Sequence, residues 1–96
     1  MSVPFRIDTN PTGRNTRATI VDTCDHQGRS LRLVLSYDTV IAVRGYNDDG
    51  TADLVRRSND WGPTTGRHFA DLGCKDFPTV ADFPAYVRMH FGLDVK

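Results

Sequence analysis

The chain has 96 residues, 39% apolar and 25% charged, with 12 basic and 12 acidic side chains and no formal net charge. That length allows one domain burying roughly 60–65% of its unfolded surface, so the expectation is one modest core and not a large internal active site. Zero net charge removes the overall attraction expected of a general nucleic-acid or acidic-membrane binder and leaves open only a local basic patch.

The kinds of charge are skewed. All 12 acids are Asp, and Arg outnumbers Lys 10 to 2. Asp favours turns and caps over helix interiors, so the composition leans toward strands and loops. The Arg excess reads as ordinary surface charge or as planar contacts to a partner. No stretch approaches ~20 apolar residues and no apolar segment of signal-peptide length opens the chain. The expectation is a cytoplasmic protein without a membrane span, in which Cys24 and Cys74 are reduced thiols.

Residues 1–15 read as a loop broken by Pro4, Pro11 and Gly13, with a turn at Asn10-Pro11-Thr12-Gly13. The alternation of Val3, Phe5 and Ile7 allows a short edge strand. Thr16 to Cys24 is β-branched and predicts a strand, and Asp25-His26-Gln27-Gly28 a hairpin loop with Gly28 at positive φ. Ser30 to Tyr37 is the clearest strand, with Leu31, Leu33, Leu35 and Tyr37 on one face and Arg32 and Ser36 on the other. Asp38-Thr39 then closes a tight hairpin. Val40 to Tyr46 begins apolar on both faces, as a central strand does. Asn47-Asp48-Asp49-Gly50 is another turn, and Thr51 to Arg57 a charged edge strand.

Short connections imply an antiparallel meander of four strands, whose apolar face needs a cover. Thr64 or Thr65 can cap a short helix running to about Leu72 and ended by Gly73, with Phe69 and Leu72 inward. A C-terminal helix from Asp82 to Phe91, stopped by Gly92, carries Phe83, Tyr86, Val87, His90 and Phe91 as one stripe. Pro84 fits in its first turn. The predicted fold is one α+β domain over 1–96: a meander of about four strands packed against a short helix and a C-terminal helix.

No constellation for chemistry stands out. Among Cys24, His26, His68, Cys74 and His90 only Cys24 and His26 are close, so the paired spacing of a zinc site is missing. Cys24 reads as a buried small residue, His26 as an exposed turn residue and His90 as half-buried on the helix. Thr64, Thr65 and His68 share a helical turn, but no nucleophile elbow or Cys–His pair is present. Capping explains the threonines, and His68 reads as a hydrogen-bonding residue that locks this helix to the Tyr37-Asp38 hairpin. The run Trp61 to Arg67 has the glycines and helix start of an anion site but not the P-loop lysine. No cofactor is expected. Arg32, Arg44, Arg56 and Arg57 come from adjacent strands, with Tyr46 and Trp61 as stacking surfaces, and form a candidate nucleic-acid face. Asp48, Asp49, Asp53 and Asp60 lie in the same region and favour a mixed, solvated surface.

Two separated segments carry a resemblance. Ser36-Tyr37-Asp38-Thr39-Val40-Ile41-Ala42-Val43 and Trp61-Gly62-Pro63-Thr64-Thr65-Gly66-Arg67-His68-Phe69 resemble a family of small uncharacterised bacteriophage proteins. Those have a Ser-Tyr-x-Thr-Pro-Val-Ala-like hairpin followed by an aromatic-Ser-x-Thr-Thr-x-Lys/Arg-His segment. The matching positions are Ser36, Tyr37, Thr39, Ala42, Trp61, Thr64, Thr65, Arg67 and His68. Val40 departs where the pattern often has Pro, and Gly62 and Gly66 where it often has Ser, which loosens the helix start. The resemblance implies phage origin and a small α+β domain, and no activity.

The leading expectation is therefore a non-enzymatic phage accessory protein that binds a host or phage protein, inhibition of a host process or defence system being one version. The expected surface comprises Tyr37, Asp38, Tyr46, Trp61, Thr64, Thr65, Arg67 and His68. The alternative is a nucleic-acid-binding regulator using Arg32, Arg44, Arg56 and Arg57. Self-association through an exposed sheet face or edge is a further option.

Overall fold

The computed structural model describes residues 6–9, 17–59 and 62–95. The expectations for Val3, Phe5, the Asn10–Gly13 turn, Thr16, Asp60 and Trp61 lie outside the described residues. Five strands form one antiparallel sheet in chain order: β1 (Arg6–Asp8), β2 (Ala18–Cys24), β3 (Ser30–Ser36), β4 (Thr39–Tyr46) and β5 (Ala52–Arg56). Two helices follow, α1 (Pro63–Asp71) and α2 (Phe83–Phe91). The α+β meander is as expected, with Arg6–Asp8 adding a fifth strand to the four.

Each face of the sheet carries one helix. Strand alternation puts Leu31, Leu33, Val43, Gly45 and Val55 on one face, where Phe83, Val87 and Phe91 of α2 pack on them. The opposite face presents Val34 and Ala42 to Phe69 of α1 and to Cys74 and Phe77 beyond it. Ile41 joins this second cluster because the β3–β4 register shifts between Val34 and Leu35, leaving Ile41 without an opposite residue. A β-bulge of this kind turns two successive side chains to one side. Val40 consequently points to the α2 cluster, while Ile41 and Ala42 both point to α1.

The helix ends follow the local sequence, with one correction. Asp82 caps α2 by accepting from Ala85 N at 3.2 Å, and Gly92 closes it in the left-handed region. For α1 the threonines do not cap. The N-cap is Gly62, at φ 126, and Pro63 is the first helical residue. The Asn59 side chain brackets Gly62, accepting from its N–H at 3.2 Å and donating to its carbonyl at 2.9 Å. Pro63 fixes the entry, so Thr65 falls on the inward face with His68 and Phe69. At the other end Cys74 N donates to Phe69 O and Gly73 N to Ala70 O, the two bonds of a Schellman stop.

Further departures have simple causes. Ser36 pairs with Thr39, so the two-residue turn is Tyr37-Asp38 and not Asp38-Thr39, and Tyr37 leaves the strand. Cys24 is half-buried at the end of β2 instead of buried. His90 is exposed, its ring stacked on Tyr86 at 4.1 Å, so it borders the α2 stripe from outside. The outer edge of β5 is partly occupied. Arg56 N donates to Pro78 O and Val80 N donates to Arg56 O, making a short parallel bridge that shortens the free edge.

Gly45 is where α2 comes closest to the sheet. A Cβ there would lie 3.0 Å from Phe91 and 3.2 Å from the Arg29 guanidinium carbon. Gly45→Ala is expected to cost about 1–3 kcal/mol by overpacking, read as a lower urea midpoint at unchanged slope.

Candidate functional site

The structure builds its most closed polar feature at the Tyr37-Asp38 turn. Ser36, the last residue of β3, is 4% exposed on the α1 face. Its Oγ lies 3.1 Å from Thr65 Oγ1 and 2.8 Å from His68 Nδ1. Thr65 and His68 are themselves buried, at 4% and 1% exposure. Three polar side chains thus satisfy one another where α1 meets the sheet, as buried polar groups must. Burial holds His68 below the ordinary imidazole range, and the carboxylate of Asp71 opposes that only in part.

Tyr37 stands over this network. Among the described residues it is the one non-glycine at positive φ, 56°. Positive φ at the first turn position alone is the pattern of hairpin turns that usually take Gly there. A left-handed Tyr costs of order 1–3 kcal/mol. Its N–H donates to Arg17 O at 2.7 Å, which holds the turn against the end of β2. The ring is 53% exposed and its centroid lies 6.1 Å from that of His68. Beside it opens a cavity of about 210 Å³ lined by Ser36, Tyr37, Thr39, Ile41 and Thr65. Its lining is an apolar floor, one aromatic wall and three hydroxyls, without a charged group.

Of the expected interaction residues, Tyr37, Asp38, Thr65 and His68 come together here, with Thr64 and Arg67 exposed on α1. Tyr46 does not join them. It ends β4, seven residues beyond Thr39, or about 23 Å along an extended strand. Ser36, Thr39 and Ile41 were missed as lining residues. Ser36 read only as the polar side of an alternating strand, and nothing local signalled its two long-range partners.

The four expected nucleic-acid arginines do not share one face. Arg56 lies 3.7 Å over the Phe69 ring and donates to Lys75 O at 3.0 Å and Arg57 O at 3.1 Å, fastening the segment after α1. Arg57 is on the opposite face, 5.3 Å from the Phe83 ring centroid, and donates to Val40 O at 3.1 Å. Arg44 lies 5.3 Å from the Phe77 ring. Arg32 is held bidentately by Asp22, at 2.8 and 3.1 Å. The Arg excess serves cation–π contacts and ion pairs that need a planar fork.

Cys74 does not have the setting of a reactive thiol. Burial pushes the Cys74 thiol up to about 11, whereas a nucleophile or metal ligand needs the thiolate. Among the described residues no group of three or more His, Cys or Asp side chains could hold a metal ion. No helix among them is long and apolar enough to cross a membrane.

The buried imidazole sets a pH dependence. Its folded pKa lies below the unfolded value of ~6.5, so the unfolded chain takes the proton first. This contribution to stability is complete above pH ~6.5, falls as pH drops toward the folded pKa and levels off below it. Urea midpoints of the wild type are expected to fall between pH 7.5 and 5. His68→Asn, which keeps a polar atom near Nδ1, should lose that slope while costing about 1–3 kcal/mol at pH 7.5.

Compared with models of known protein families, with curated proteins and with solved structures, the chain matches none.

Proposed function

We propose that this protein is a non-enzymatic binding module of the bacteriophage accessory type, working by docking on a host or phage protein through the Tyr37-Asp38 turn and the adjoining start of α1. One observation carries the reading: a half-exposed Tyr in a left-handed conformation, held at the tip of a hairpin by its N–H bond to Arg17 O and placed beside the buried Ser36–Thr65–His68 network. Strain of this kind persists where the surroundings over-determine it, and it clusters at sites that present a side chain to something else. A Tyr side chain has only two torsions to order on binding, which is the character of an interface anchor. The neighbouring 210 Å³ cavity offers a place for one neutral side chain of the partner. Of the phage-like pattern, Tyr37, Thr64 and Arg67 are exposed on this surface and Thr39 is half-buried, while Ser36, Thr65 and His68 are buried beneath it. Blocking a host process is one outcome such docking would have.

The reading separates stability from binding at one residue. Tyr37→Gly removes the left-handed strain and the anchor together, so the variant should be about 1 kcal/mol more stable and deficient in binding. Tagged wild type and variant are compared by affinity purification from nuclease-treated host lysate, infected and uninfected. A protein recovered in amounts comparable to the wild-type bait, and lost from the more stable variant, is the expected result. Recovery of the same protein by both, or of the bait alone from either lysate, contradicts the reading.

A further inference from the structure

The half of the α1 face that no described residue covers carries a row of guanidinium groups. Arg6 is opposite Asp22, Asp22 opposite Arg32, Arg32 opposite Arg44, and Arg44 opposite Leu54. These five positions run straight across all five strands, each about 4.8 Å from the next. α1 and the segment after it cover Val34, Ile41 and Ala42 and stop at Phe77, against which Arg44 packs. Beyond that boundary lies a cleft of about 390 Å³, with Arg6, Asp22, Arg32 and Tyr46 among its walls.

We propose that this cleft binds single-stranded nucleic acid, with bases stacking on Tyr46 and the Arg32 guanidinium plane and phosphates meeting Arg6 and Arg44. Asp22 grips Arg32 through Nε and one terminal nitrogen, which fixes the plane of the fork and leaves the second terminal nitrogen and one flat face for a ligand. The Arg32 side chain is 41% exposed, and Tyr46 is 38% exposed. Arg6 is exposed on β1, the outermost strand of the sheet among the described residues. Flat groups beside cations are what sequence-tolerant binding of unpaired bases uses. Of the acids on this face, Asp22 acts on both Arg6 and Arg32 and Asp8 acts on Arg32, so the row of three guanidinium groups, Arg6, Arg32 and Arg44, outnumbers its two carboxylates. This site differs from the expected arginine face. Arg56 and Arg57 are spent on Phe69 and Phe83, and Arg6, which no sequence pattern singled out, takes their place. It also lies toward the far end of the sheet from Tyr37, so a protein partner and a nucleic acid could be held together.

The test is fluorescence anisotropy of the full-length protein with a short labelled oligo(dT) and the matching oligo(U). Two or three phosphate contacts on a single strand predict an affinity about 7- to 18-fold weaker at 200 mM than at 50 mM salt. Tyr46→Ala should weaken binding about five-fold or more and Tyr46→Phe should restore it, since the ring supplies the stacking surface. Arg6→Ala should weaken binding and flatten the salt dependence. Both positions are exposed and outside the two cores, and urea unfolding verifies that the three variants fold. Absence of binding at low salt, or equal affinity of wild type, Tyr46→Ala and Arg6→Ala, would overturn the proposal. Polyglutamate competing as well as the oligonucleotide would also overturn it, in favour of an acidic-polypeptide surface.

Discussion

The fold depends on a single strand that cannot be left wet on either side. β4 sends Val40 and Val43 one way and Ile41 and Ala42 the other, and Ile41, Ala42 and Val43 are each 0% exposed. A strand of that kind needs two covers, and among the described residues two short helices provide them. The bulge at Ile41 is what lets β4 serve both sides with large side chains, since it sets Ile41 and Ala42 together beneath Phe69 and Phe77. Everything downstream of β5 is arranged to bring α1 to one face and α2 to the other.

Two nine-residue helices are small covers, and the charged residues extend them. Arg56, Arg44, Arg29 and Arg57 each lie near the ring of a Phe in the core, their apolar stems lengthening the buried surface, while the guanidinium groups of Arg56, Arg29 and Arg57 bond carbonyls or carboxylates. Arg29 shows the pattern most fully, bonded to Asp25, Asn47 and Asp53 while it sits over Phe91. Asp25 accepts from Arg29 N, Gln27 N and Arg29 Nε, so the β2–β3 loop, the β4–β5 turn and the end of α2 share one charged joint. Burial works against the Asp25 carboxylate, yet these donors hold its pKa below the ordinary range. Lys could not replace Arg at such joints, because a point charge cannot lie flat on a ring and bond three acceptors at its rim.

Much of this was legible in the sequence. β2 to β5 follow from β-branched runs separated by Gly-ended turns, and α2 follows from Asp82, Pro84 and Gly92 together with the Phe83, Val87, Phe91 spacing. What local pattern could not show is which side of the sheet each helix takes. A strand apolar on both faces hinted at two covers, but only pairing and alternation assign them. The start of α1 misled for a related reason: Thr65 looks like a cap when read locally, and it becomes a core hydroxyl because Ser36 and His68 are there to receive it. The same long-range bonds shift the hairpin turn to Tyr37-Asp38 against the Gly preference of that position. The arginine face failed because a guanidinium over a buried Phe and one in solvent look alike in sequence.

The central claim is that both covers and the strained turn form one rigid unit around β4, so that Tyr37 is presented on a platform and not on a loose loop. Native-state hydrogen exchange, resolved residue by residue, tests this directly. The account predicts that the amides of Tyr37, of the inner turns of α1 and of β4 open together, near the free energy of global unfolding. Exchange of Tyr37 and α1 through a local opening several kcal/mol below that of β4 and α2 would contradict it, and would make the α1 side an appendage to a two-layer fold.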